Sequence, residues 1–172
     1  MTGTEHAGTR ILGSLRSTDG KGAVRMEDRF DTDIDDVWSA LTDPARLDGW
    51  LGKVEGVLRT GGEYHYHFYA SGSEGTGRVE VCEPSRLLRL AHGLGQPDEQ
   101  VIEVTLTADG DQTVLVVEER GMPLELLAAY GAGIQVHIED LGAHLAGRGR
   151  CEPDARWDEL EPFYEELAVD VG

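Results

Sequence analysis

Asparagine is absent from this 172-residue sequence, and lysine occurs only at Lys21 and Lys53 among 15 cationic residues. Such Arg-rich, Lys-poor usage points to a high-GC genome of the actinobacterial kind, with a salt-adapted host as the alternative, and neither has functional meaning. Cysteine is scarce as well. Cys82 and Cys151 lie far apart and fit no metal-ligand spacing, so neither a zinc module nor a disulfide framework is expected. No apolar run approaches the roughly 20 residues of a membrane-spanning helix, so membrane insertion is not expected. The opening MTGTEHAGTR has no apolar h-region, which argues against a secretory signal and for reduced thiols in a cytoplasmic protein. Positive charge is outnumbered: the formal net charge is -18, a field that repels nucleic acid and anionic membrane.

At 40% hydrophobic residues, the chain can bury a sizeable core. Residues 1–8 read as a flexible terminus. RILGSLR and AVRMEDRFD flank the turn-rich STDGKG, two strands joined by a hairpin. In TDIDDVWSALTDP, Ile34, Val37, Trp38 and Leu41 sit at i, i+3, i+4 and i+7, one face of a helix. Thr32 with Asp35 fits a capping box. Asp43 and Pro44 restart a second short helix that runs to about Trp50.

A series of strands follows. GGEYHYHFY alternates strictly, with Tyr64, Tyr66 and Phe68 on one face and Glu63, His65 and His67 on the other. GRVEVCEP puts Val79 and Val81 together, RLLRLAH puts Leu88, Leu90 and His92 together, and GLGQPDE is a loop. QVIEVTLTA aligns Ile102, Val104 and Leu106, and TVLVVEERG is the last strand. One apolar face per strand with short turns argues an antiparallel meander covered on one side. The longest helical pattern runs from about Leu124 to Ala146, with Leu127, Gly131, Ile134, Ile138, Leu141 and Leu145 along its seam. Residues 149–172 form an acidic extension with Trp157, Leu160, Tyr164 and Leu167 at helical spacing. Pro162 is expected to split it into two short turns.

This order, with the segments DIDDVWSALTDPARLDGWLG, GGEYHYHF, GTGRVEVCEPSRLLRL and DQTVLVVEERGMP, resembles the SRPBCC superfamily of START-like and birch-pollen-allergen-like domains. Within it, the chain is similar to the branch named after the activator of the heat-shock protein 90 ATPase. The resemblance covers roughly residues 10–148. It implies an α+β helix-grip fold over residues 9–148: a curved antiparallel sheet wrapped around a long C-terminal helix, with two short helices after the first strands. It also implies a cavity under the sheet for an apolar or aromatic ligand.

If the apolar strand face is the concave one, Tyr64, Tyr66, Phe68, Val79, Val81, Leu88, Leu90, Ile102 and Val104 point inward, with Trp38 and Trp50 near one end. The alternative is that these side chains simply fill the core. Tyr130, His137 and His144 recur every seven residues on the long helix, beside Ile134, and can present a phenol and imidazoles to a ligand. A half-exposed stripe beside the core is the duller reading. Strand alternation turns either Glu118 or Glu119 inward, where burial raises a carboxyl pKa. A surface carboxylate paired with Arg120 or Arg89 is the other reading. Gly131 and Gly133 sit mid-helix, where glycine costs about 0.5–1 kcal/mol; close approach to the sheet, room for a ligand or a tolerated weakness explain that cost equally well.

Metal binding and cofactors are not expected. His137 and His144 are about 10 Å apart along a helix, too far to share an ion. No G-x-S-x-G elbow and no phosphate-binding glycine loop occur, and Cys82 sits mid-strand. The leading expectation is a binding protein for a small lipophilic or aromatic molecule, serving sequestration, delivery or self-protection, as monomer or homodimer. A polyketide cyclase or aromatase-like enzyme is the second, with Tyr66, His92, Glu119, Tyr130 and His137 as acid/base candidates. A chaperone-cofactor-like protein partner is the third.

Overall fold

The computed structural model describes residues 10–93, 99–167 and 169–171. The expected flexible terminus at residues 1–8 and most of the expected loop at 93–99 lie outside the described residues. Strand β1 (Gly13–Thr18) turns into β2 (Lys21–Phe30) through Asp19 and Gly20 alone, both with positive φ, 53° and 81°. Two consecutive left-handed residues make the tight hairpin turn whose twist matches its strands, so the strands reach closer than STDGKG suggested. Helices α1 (Ile34–Thr42) and α2 (Pro44–Trp50) follow, then β3 (Gly52–Gly56), β4 (Glu63–Phe68), β5 (Glu74–Glu83), β6 (Leu87–His92), β7 (Gln100–Asp109) and β8 (Gln112–Pro123). A single 3₁₀ turn at Leu124–Leu126 leads into the long helix α3 (Leu127–Leu145). Helix α4 (Pro153–Glu166) and the short β9 (Val169–Val171) complete the chain.

The sheet order is β3-β4-β5-β6-β7-β8-β2-β1-β9, antiparallel throughout except where β9 pairs parallel with β1. This is the α+β helix-grip architecture, with α3 lying across the concave face. Among the described residues, no helix is long and apolar enough to cross a membrane.

Three further local expectations change. Helix α1 is capped by Asp33, whose side chain accepts from the Asp36 N–H at 2.9 Å, while Thr32 Oγ1 donates to Asp36 Oδ2 at 2.7 Å. The cap therefore falls one residue later than the Thr32–Asp35 box. Asp43 and Pro44, by contrast, cap and start α2 as their chemistry dictates. Strand β3 went unread because GKVEG carries only Val54 as an apolar signal; it forms by pairing with β4. Pro162 does not split the tail: α4 runs through it. Leu160 and Tyr164 on either side are fully buried in the main core, and that packing holds the helix across the hydrogen bond that proline cannot donate.

The tail helix explains why α3 has no plain polar face. Gln135 of α3 is fully buried and satisfied on all sides. Its Oε1 accepts from the Leu12 N–H at 3.1 Å and from Tyr164 Oη at 2.5 Å, and its Nε2 donates to the Arg10 carbonyl and to Glu139. Arg156 of α4 clamps Glu139 through two nitrogens. Helix α3 is thus buried against the sheet on one side and against α4 on another.

The mid-helix glycines separate on this geometry. A Cβ on Gly131 would lie 2.6 Å from the Tyr164 ring, so its close approach is to the tail. A Cβ on Gly133 would meet nothing within 4 Å. Gly133→Ala should therefore raise stability by about 0.5–1 kcal/mol through helix propensity, while Gly131→Ala should lower it. Chemical denaturation of the two variants checks the pair, and equal effects would refute this account of the tail contact.

Candidate functional site

One register row explains how polar chemistry enters an apolar face. Directly paired residues on β5, β6, β7, β8, β2 and β1 run Val79, Leu90, Ile102, Glu119, Val24, Leu15. Paired residues share a face of the sheet, so Glu119 is turned inward with five apolar neighbours. The outward carboxylate is Glu118, which pairs with Arg16 at 3.0 Å and approaches Arg120. Arg89 pairs instead with Glu103. The surface reading of Glu119 is therefore set aside.

The same register corrects Val81. A bulge interrupts the β5–β6 pairing after Val79, so Val81 lies opposite Arg89 while Cys82 lies opposite the buried Leu88. The extra residue flips the strand, sends Val81 to the outer face and turns Cys82 inward. Trp38 is also corrected: it packs against the core but lines neither lobe of the space under α3. Trp50 does line it, with its indole N–H donating to the Ala40 carbonyl at 2.9 Å.

That space has two lobes. The inner one, about 160 Å³, is walled by Leu47, Trp50, Tyr64, Val79, Leu88, Leu90, Val104 and Leu141 among others. The outer one, about 610 Å³, is lined by Tyr66, Ser71, Ser73, Gln100, Leu126, Tyr130, Gly133 and Trp157 among others. Phe68, His92, Ile102, Glu119, Ile134 and His137 line both and mark their junction. Of the ligand-site residues expected from the sequence, the structure thus gathers all but Val81 and Trp38 around one space. His144 is removed from it, accepting a hydrogen bond from Arg46 at 3.2 Å.

An aromatic wall forms on one side. Tyr66 stacks on the His92 ring at 4.3 Å and on Phe68 at 4.7 Å, and Phe68 meets His137 edge-on at 5.4 Å. Tyr64 Oη and His92 Nε2 are 2.5 Å apart. Glycines on the intervening strand permit this: Gly77 is paired with both Tyr64 and His92, and a Cβ there would lie 2.5 Å from the Tyr64 ring. Sequence reading missed Gln100 as a lining residue and Gly77 as the support of the aromatic wall, whereas Gly133, read as room for a ligand, lies on the outer lobe. The alternation of small residues in GTGRVE, facing EYHYHF, was the available signal for Gly77. Gln100 Nε2 donates to Tyr130 Oη at 2.9 Å, and the Trp157 indole donates to the Ala129 carbonyl at 3.3 Å.

Electrostatics at the junction follow from dehydration. Burial pushes the Glu119 carboxyl up to about 7 and pulls the His92 and His137 imidazoles down to about 4. His137 Nε2 is buried without a hydrogen-bond partner among the described residues. At neutral pH the junction therefore holds a carboxyl balanced between its two forms and two neutral imidazoles. That set can donate, accept or move one proton. Among the described residues, no group of three or more His, Cys, Asp or Glu side chains is placed to hold a metal ion.

The pH consequence has a definite sign. Folding raises the Glu119 pKa, so its favourable contribution is complete below its unfolded value of 4.5 and is lost as pH rises through about 7. Glu119→Gln removes that loss. Relative to the parent, this variant should gain on the order of 2 kcal/mol between pH 5 and pH 8. Urea denaturation at several pH values checks it; a difference independent of pH would contradict the burial of this carboxyl.

Comparison with known proteins places the architecture. The family model described as Activator of Hsp90 ATPase homolog 1-like protein matches residues 31–146. CalU16 from Micromonospora echinospora superimposes with a TM-score of 0.74 at 26% identity, over 92% of this chain and 97% of that one. DynU16, from the dynemicin biosynthetic locus, gives 0.68 at 27% identity, over 76% of this chain and 50% of that one. BPP1335 from Bordetella parapertussis shares the fold at 22% identity and a TM-score of 0.70, over 86% of this chain and 87% of that one. None of the curated proteins matches this chain.

Proposed function

Because this chain belongs to the Activator of Hsp90 ATPase homolog 1-like family, whose helix-grip fold leaves space between sheet and helix, we propose that it binds a small lipophilic or aromatic molecule there. Its role is to sequester or deliver that molecule, or to protect its host from it. One observation carries the reading: two lobes of about 160 and 610 Å³ meet at a shared junction, with walls that are mostly aliphatic and aromatic. Pockets of this size with a few convergent polar groups are how small-molecule sites are usually built. Cys82 and Cys151 are free thiols, which suits a reducing cytoplasm. The presence of DynU16 in a biosynthetic locus supports a product or intermediate of specialised metabolism as the type of ligand.

A second reading rests on the proton balance at the junction. A carboxyl titrating near 7 beside neutral imidazoles suits acid–base chemistry of the cyclase or aromatase kind. Loss of turnover in Glu119→Gln or His137→Phe, with binding retained, would favour it.

Gly133→Phe tests the binding reading, because Gly133 faces open space in the outer lobe. A thermal-shift panel of polycyclic aromatics, polyketides and long-chain alcohols, amines and acids is run on both proteins. A binder at 100 times its dissociation constant should stabilise the parent by about 2.7 kcal/mol. The shift should vanish in Gly133→Phe, whose own fold is intact by circular dichroism. No shift with any compound, or equal shifts in both proteins, would refute the reading.

A further inference from the structure

The charges around the cavity are all of one kind. Among the described residues, Glu119 at the junction and Asp154 at the outer lobe are the only lining residues with ionisable side chains besides the two neutral imidazoles and the tyrosines. No arginine or lysine among them lines either lobe. The residues outside the described ones include neither arginine nor lysine, so no such side chain can enter from there. Among the described residues, Glu119 is paired with no cation, since Arg16 and Arg120 turn to Glu118, and His137 Nε2 at the same junction is buried without a partner.

An anionic ligand such as a fatty acid would bring a charge into this space with nothing to neutralise it, and burying an unpaired charge is strongly unfavourable. The chain's net charge of -18 would oppose its approach as well. A cation has the opposite experience. It is drawn by the field, passes Asp154 and finds in Glu119 a carboxylate that no arginine or lysine of the cavity wall neutralises. The stacked rings of Tyr66, Phe68 and His92 offer flat faces to the apolar body of the same molecule.

We propose that the cavity is selective for lipophilic amines, with the ammonium group held by Glu119 at the junction, a second hydrogen bond to His137 Nε2, and the apolar body along the aromatic wall. This rests on the cavity being a small-molecule site and adds the chemical class. The amine enters as its ammonium form. When Glu119 holds its proton, that proton leaves to solvent, so one N–H···O contact forms between ammonium and carboxylate and charge is conserved. The titratable groups that share the two lobes with Glu119 are Tyr64 and Tyr66 from β4, His92 from β6, Tyr130 and His137 from α3, and Asp154 from α4, with Tyr66 in direct electrostatic contact with it. The imidazoles stay neutral and do not compete for the carboxylate.

Three probes with one ring system separate the contributions: 9-(methylaminomethyl)anthracene, 9-anthracenemethanol and anthracene-9-carboxylate, titrated by fluorescence. The amine should bind the parent at least tenfold more tightly than the alcohol, and the carboxylate weakest. Glu119→Gln, checked for folding by its melting curve, should lose at least tenfold on the amine and stay within about twofold on the alcohol. A measurement on the parent alone serves if that variant does not fold. Amine affinity should fall as pH drops from 8 to 5.5, because Glu119 must then release its proton, while alcohol affinity stays flat. An alcohol that binds as tightly as the amine, or a flat amine profile, would overturn the ligand class and leave the binding reading intact. No binding of any of the three to the parent would overturn both.

Discussion

One helix cannot fill the hollow of this sheet. Nine strands spaced about 4.8 Å apart span roughly 40 Å along the arc. Helix α3, with 19 residues, is about 28 Å long and little more than 10 Å across. Helices α1 and α2 close one end, and α4 packs beside α3, lending Trp157 and Asp154 to the outer lobe without filling it. The remaining volume is left to side chains from the strands, and they do not occupy all of it. The cavity thus follows from the proportions of the elements more than from any single residue. Glu119 and His137 acquire their altered proton affinities because that geometry leaves them facing a space with few polar neighbours.

Much of this was readable because it repeats. Tyr64, Tyr66 and Phe68 alternate, Asp43 and Pro44 cap and start a helix, and Leu127 to Leu141 recur at helical spacing. Periodicity carries such features whatever the tertiary context. The failures lie where one residue breaks the period or where a distant partner decides. The β5 bulge reverses Val81 and Cys82, and nothing in VEVCE announces it. Gln135 looks like a surface residue until α4 and the segment before β1 meet there. Pro162 sits within a helix because Leu160 and Tyr164 are held in the core. The inward turn of Glu119 was half legible: alternation required one of Glu118 and Glu119 to face in, but only the strand register decided which.

The polar groups of the cavity and those of the tail joint are built on opposite principles. Gln135 engages its carbonyl oxygen and its amide nitrogen twice each, which makes the joint between α3, α4 and the start of β1 specific and closed. His137, two residues on, leaves its Nε2 unmet among the described residues. Orphaned polar atoms are uncommon in native interiors. Two side chains on one helix thus divide the work: one fastens the helix, the other faces the hollow.

The parallel pairing of β9 with β1 also governs how the molecule meets its own kind. A long, regular outer strand invites another chain to extend the sheet. Here β1 is covered along Leu15–Ser17 by a strand of three residues, too short to offer much of a template itself. The opposite border is β3, only five residues long, with glycine at each end and Lys53 and Glu55 between them. Both borders are therefore poor seeds for sheet-to-sheet growth. These two short strands protect the molecule from aggregation through its sheet borders.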